Sequence, residues 1–203
     1  MLIPISCAAC GALGAAVCRR CAAELRPAPN LPPPPGVDRC VAVLAYDGVA
    51  RDVVARIKYR NHRAAIDGLA AAMASAVTGA PPQVVTWAPT TDARRRERGF
   101  DHAELLARAV AARLGVPAHR LLRRRPGPPQ TGRALAARLR GPDVAPAAAV
   151  HGAHVLVVDD VVTSGATATA AAAALRRAGA RTVTFLAAAR TPPPSRAQER
   201  HPA

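Results

Sequence analysis

The stretch HVLVVDDVVTSGAT, His154 to Thr167, decides the reading of this chain. The unbroken apolar run Val155 to Val158 suits a strand buried on both faces, as in a parallel sheet. It ends in two adjacent acids, Asp159 and Asp160, followed by two valines and a hydroxyl-rich turn. In an open α/β sheet, ligands gather at the carboxyl ends of the strands, so this segment delivers two carboxylates to a binding position. The turn then runs into an alanine-rich helix. Backbone N–H groups of such a turn and the helix N-terminus make an anion site. Gly165 permits close backbone approach, and the hydroxyls of Thr163, Ser164 and Thr167 add donors. A phosphate cradle beside two carboxylates suits a ligand that carries both a phosphate and hydroxyl donors, as a ribose 5-phosphate does.

Rival readings of the stretch fit less well. A Walker A loop needs G-x-x-x-x-G-K-[ST], which the chain lacks. A response-regulator receiver places paired acids near the start of its domain, whereas these lie in the last third. The plainest alternative is a solvated strand end followed by a helix capped by Thr163 or Ser164.

Working outward, strands alternate with helices. CVAVLAY, QVVTWAP, HRLL, HVLVVDD and RTVTFLAAA read as strands. RDVVARIKYR, AAIDGLAAAMASAV, DHAELLARAVAARLG and TATAAAAALRRAG read as helices, the last two closed by Gly115 and Gly179. The pattern predicts an α/β domain with a doubly wound parallel sheet over residues 40–191. Residues 27–39, PAPNLPPPPG and its flank, are proline-rich and predict a stiff, extended linker. The polar tail, 192–203, predicts disorder. Half of the residues are apolar but only 2% are aromatic, so the core is expected to be built from Ala, Val and Leu.

The first 26 residues hold four of the five cysteines as C-A-A-C-(x7)-C-R-R-C. Two C-x2-C pairs at Cys7, Cys10, Cys18 and Cys21 suit a structural zinc bound by four thiolates. Metal would then supply the stability that so short a segment lacks. Two disulfides or a redox pair fit a reducing compartment less well. The N-terminus lacks a basic n-region and a long apolar h-region, and no run approaches the roughly 18 apolar residues of a membrane span. A cytoplasmic protein without membrane insertion is expected.

The formal net charge is +15, and +9 of it falls between Asp92 and Arg140, with 13 Arg against four acids. That balance suits an anionic partner; a general preference for Arg would produce the same count. Arg94, Arg95, Arg96 and Arg98 follow a strand and could clamp a pyrophosphate, or form a solvated basic loop. RRRPGPPQTGRALAARLR reads as a loop that could act as a mobile lid, with Gln130 and Arg138 as candidates; a basic linker is the alternative. Lys58 is the only lysine among 28 basic residues. It is a candidate for a compact ammonium near phosphate, or a chance survivor.

The thirteen residues from Val155 to Thr167 closely resemble the signature of the type I phosphoribosyltransferases. That resemblance implies that Asp159 and Asp160 hold the ribose hydroxyls of phosphoribosyl pyrophosphate (PRPP). It also implies that Thr163, Ser164, Gly165, Ala166 and Thr167 bind its 5-phosphate, with Mg²⁺ accompanying the ligand. The order of motifs along residues 5–190 resembles the ComF family of competence-associated, phosphoribosyltransferase-like proteins. Those motifs are the four-cysteine element, Tyr46 and Gly48 with Ile57 to Tyr59, Arg94-x-Arg96-x-Arg98-Gly99-Phe100, Gln130 to Gly132, and VVDDVVTSGAT. The resemblance implies a type I phosphoribosyltransferase-like sheet with a small N-terminal zinc element, and PRPP binding with phosphoribosyl transfer. The alternative it implies is a non-catalytic accessory role in natural transformation, binding single-stranded DNA or the competence ATPase. Two positions depart from the pattern: Asp101-His102 stands where the family has Asn-Gln, and Gly141-Pro142 where it carries an Asn after the lid arginine.

Overall fold

The computed structural model describes residues 5–60, 63–90, 101–125 and 142–193, without the side chains of residues 58–60 and 63. Its centre is a four-stranded sheet formed by β1 (Arg39–Ala45), β2 (Val84–Trp87), β5 (His154–Val162) and β6 (Thr182–Arg190). The order is β1-β6-β5-β2, and every pairing is parallel. β5 and β6 are the two inner strands, and Val155 to Val158 and Val183 to Ala189 are nearly all fully buried. Their uninterrupted apolar sequences follow from that double burial.

Alternate residues of the strands face two separate cores. On one face, Val85, Trp87, Leu156, Val158 and Leu186 pack against three helices. These are α2 (Gly48–Arg60), α3 (Arg63–Ser75) and α4 (His102–Leu114), and they contribute Ile57, Met73, Leu106 and Val110 among others. On the other face, Val84, Val155, Val157, Val183 and Phe185 pack against α5 (Ala166–Arg177). Ala168, Ala171, Ala172 and Ala174 of α5 are 0–1% exposed. Alanine thus lets this helix lie close to the sheet, and its high helix propensity keeps the element formed. The expected α/β doubly wound architecture is present, with Ala, Val and Leu filling most of both cores.

α4 ends at Gly115 as its sequence predicts and begins one residue later than expected, with Asp101 outside it. The Asp101 side chain caps it by accepting from Ala103 N at 3.1 Å, and Gly115 closes it in a left-handed conformation at φ 67°. The pattern did not reveal β4 (Val144–Pro146), which pairs antiparallel with β3 (Leu122–Arg124) in a separate two-stranded ribbon. Three residues ending in proline carry too little periodicity to announce a strand.

The proline-rich segment lies against the domain and turns at Gly36. Ala45 N donates to Arg26 O, and Ala28 N donates to Val43 O. Pro34 and Val37 are buried, and Asp38 accepts hydrogen bonds from Val183 N and Arg176 Nη2. The N-terminal element holds a single-turn helix, α1 (Arg19–Ala23), and docks on the sheet domain through Ala8, which is fully buried with Val53 and Ile57.

Candidate functional site

β5 runs past the end of β2. Trp87 pairs with Val158, Ala88 N donates to Val158 O, and the next residues of β5 stand clear of that neighbour. This overhang opens a cleft of about 280 Å³ at the carboxyl edge of the sheet. Asp159, Asp160, Thr163 and Thr167 line one wall. Tyr46, Thr90, His102 and Arg124 are among the residues of the other walls.

The two acids are half-buried. As successive strand residues they start toward opposite faces of the sheet, and the cleft wraps the strand end so that both border it. Asp159 Oδ1 accepts the Asp160 amide at 2.8 Å, which fixes the first carboxylate against the strand. Beyond Val162 the chain turns sharply. Gly165 sits at φ 78°, ψ 1°, the left-handed region that glycine tolerates, and forms the N-cap of α5. Thr169 N donates to Gly165 O to start the helix. No side chain caps α5; the contact from Ala166 N to Ser164 Oγ is long at 3.5 Å. The first-turn amides are therefore left without a side-chain cap; Thr163 and Ser164 are exposed, Ala166 and Thr167 are half-buried, and Gly165 and Ala168 are buried. A hollow of about 30 Å³ lies within this turn and shares Asp159, Val161, Thr163 and Thr167 with the larger cleft. Chemically, one wall offers acceptors for hydroxyl donors, and the adjoining turn offers amides and hydroxyls to an anion.

The opposite wall contains groups that the sequence reading did not assign to a site. Asp101 lines the cleft while capping α4, and burial pushes its carboxyl up, against the lowering effect of the Glu104, Ala103 and Thr90 amides. His102 is 3% exposed. Arg124 comes from β3 and brings a cation to the cleft. The Asp101-His102 departure was the available signal for this wall; nothing distinguished Arg124 within its run of arginines. Arg94, Arg96, Arg98, Gln130 and Arg138 lie outside the described residues, as does the Lys58 side chain.

A second constellation lies in the N-terminal element. The Sγ atoms of Cys7, Cys10, Cys18 and Cys21 all lie within 4.8 Å of one another. Four thiolates around zinc at roughly 2.3 Å would stand roughly 3.8 Å apart, and Cys10 and Cys18 are at 3.7 Å. The donor set and spacing fit a tetrahedral metal such as zinc. Cys18 N donates to Cys7 Sγ at 3.4 Å, the kind of amide contact that steadies a thiolate ligand. Burial raises the Cys7 thiol, but amides of Cys10, Cys18 and Ala9 outweigh it and bring the group to about 6.

Residues 101–201 match the model of the phosphoribosyl transferase domain family. That span runs from the N-cap of α4 through β5, the turn and β6, so it contains both acids and the whole 163–167 turn. No curated protein sequence matches the chain. Among solved structures, the glutamine PRPP amidotransferase of B. subtilis, complexed with ADP and GMP, is 23% identical, with a TM-score of 0.42 over 59% of this chain and 25% of that one. The adenine phosphoribosyltransferase of Thermoanaerobacter pseudethanolicus is 19% identical, with a TM-score of 0.43 over 62% and 69%. That of Saccharomyces cerevisiae is 18% identical, with a TM-score of 0.42 over 84% and 87%. The chain spans about a quarter of the length of the amidotransferase. No helix among the described residues is long and apolar enough to cross a membrane.

Proposed function

Starting from a phosphoribosyl transferase domain over residues 101–201, we propose that the cleft binds PRPP. In this reading Asp159 and Asp160 accept hydrogen bonds from the ribose hydroxyls. Thr163, Ser164, Gly165, Ala166 and Thr167 hold the 5-phosphate with amides and hydroxyls at the start of α5. The observation that carries the reading is that both acids, Thr163 and Thr167 line one cleft, while Asp159, Thr163 and Thr167 also line the hollow inside the turn.

The hard carboxylate oxygens at the cleft fit Mg²⁺, which binds through few carboxylates together with substrate phosphates. Bound with PRPP, Mg²⁺ would neutralise charge on the departing pyrophosphate. Transfer breaks the bond from C1 of the ribose to pyrophosphate oxygen, the electron pair leaving on the oxygen. A lone pair of the acceptor then forms the new bond to C1. The carboxylates position the sugar and do not react covalently. Arg94, Arg96 and Arg98 are the proposed pyrophosphate clamp, with Lys58, Gln130 and Arg138 as further candidates.

Calorimetric titration of PRPP with Mg²⁺ tests this. Binding in the micromolar range by the wild type, lost in Asp159→Asn/Asp160→Asn, supports it. No binding by the wild type overturns it.

The finer ComF-type reading rests on the order of the four-cysteine element, the Tyr46 and Arg94-to-Phe100 motifs, and the acid-turn motif. It brings a second reading, a non-catalytic role in DNA uptake, which the net charge of +15 favours. With so few aromatic side chains, binding to single-stranded DNA would run through phosphate contacts and fall steeply with salt. Absence of binding at low salt would sink it. A docking role for the cysteine element toward the competence ATPase predicts that deleting residues 1–26 abolishes partner capture and spares PRPP binding.

A further inference from the structure

Arg190, the last residue of β6, is 8% exposed and makes no ion pair among the described residues. A buried guanidinium is costly unless hydrogen-bonded, and an apolar residue would serve packing better. Its partners are two backbone carbonyls of the proline-rich segment. Nη1 donates to Leu31 O at 3.1 Å and Nη2 to Pro32 O at 2.9 Å, while Nε is buried without a partner. The backbone of the same residue links the end of β5 to the residue after β1. It pairs with Val162, the residue before the phosphate-type turn, and its carbonyl accepts from the amide of cleft residue Tyr46. Thr191 N donates to Val162 O and fixes the end of that register.

Two residues beyond the clamped carbonyls, Pro34 is buried directly over the turn. A Cβ built at Gly165 would lie 2.7 Å from Pro34 Cγ and 3.0 Å from Pro34 Cβ. The segment is pinned on its far side as well. Val37 N donates to Pro34 O, Gly36 lies over Ala172 of α5, and Asp38 binds Arg176 and Val183.

We propose that Arg190 and Pro34 are positioning residues for the 163–167 turn: Arg190 clamps the proline-rich segment by its carbonyls so that Pro34 braces Gly165 and holds the anion-binding turn in shape. The inference rests on the phosphoribosyl reading of that turn. Proline suits the part because its ring is rigid and costs little to order. Turn amides displaced by about an ångström lose alignment with a phosphate.

The test titrates PRPP with Mg²⁺, and separately ribose 5-phosphate, into wild type, Pro34→Ala, Arg190→Gln and Arg190→Lys. Hydrogen exchange is followed at residues 163–169. Pro34→Ala and Arg190→Gln should weaken both ligands about tenfold and speed exchange in the turn while residues 155–158 stay protected. Arg190→Lys, which keeps a donor for one carbonyl, should recover part of the loss. If Arg190→Gln fails to fold, Pro34→Ala carries the test with the clamp intact. Variants that lower the melting temperature but bind both ligands like the wild type overturn the brace alone. A wild type that binds neither ligand overturns the phosphoribosyl reading and the brace's purpose with it.

Discussion

Pro34 packs against Gly165 so closely that position 165 has no room for a side chain: an added Cβ would stand 2.7 Å from the proline ring. Gly165 also sits at φ 78°. Two independent constraints therefore require glycine at the start of α5. Gly165→Ala should cost about 1–2 kcal/mol from the left-handed backbone alone, with the collision against Pro34 adding to it. The expected result is a lower melting temperature and loss of ribose 5-phosphate binding. A variant with wild-type melting and binding would show that the turn accommodates a side chain, contrary to this geometry.

Asp101 combines two roles whose electrostatic signs oppose. Its side chain caps α4, which stabilises, but burial holds its carboxyl above the usual value of 3.8. For a raised folded-state value the carboxylate costs stability, fully so above that value and not at all below 3.8. Asparagine caps a helix about as well as aspartate. Asp101→Asn should therefore match or exceed the wild type in thermal stability at pH 7, and the two should converge below pH 4. Destabilisation at pH 7 with no change in acid would mean that the charge itself holds the helix end.

The fold was legible where sequence period and burial coincide. Val155 to Val158 shows no alternation because β6 and β2 flank β5 and helices cover both of its faces. Gly115 marked the end of α4 because cap chemistry is local. Local signals failed where the partner is distant in sequence. The proline-rich segment reads as extended, but nothing in its composition says that Arg190, some 160 residues later, seizes its carbonyls. β4 is too short to show a period, and it exists because β3 offers it an edge. The wall carrying Asp159, Asp160 and the 163–167 turn is contiguous in sequence and could be read from it. The facing wall is assembled from Tyr46, Thr90, His102 and Arg124, four separate stretches, and so could not.

Asp38 has the opposite sign to Asp101. Burial alone would raise its carboxyl, but the Val183 amide and the Arg176 guanidinium outweigh that and hold it below 3.8. A depressed folded-state value gives stability that is present above 3.8 and lost as pH falls toward the folded value. The Arg176 pair is substantially exposed, so screening keeps the effect modest. Asp38→Asn should lower stability at pH 5–7 and flatten the loss of stability below pH 4. An acid limb as steep as that of the wild type would assign the loss to other carboxylates.

The cysteine element should be held by metal, and its loss should reach the sheet domain. Cys7 and Cys21 are buried, Cys10 is exposed, and Ala8 next to Cys7 is buried among Val53 and Ile57. A segment so short cannot fold on apolar burial alone, so a bound metal would supply its folding free energy. Native mass spectrometry should find a single zinc per chain. Chelation should lower the melting temperature by roughly 2–4 °C for each kcal/mol lost, because Ala8 then leaves the core formed with α2. Cys7→Ser should be more damaging than Cys10→Ser, since Cys7 is buried and Cys10 is exposed. A chelated protein that melts like the wild type would show that the four thiols hold together without metal, and that the docking of Ala8 is independent of them.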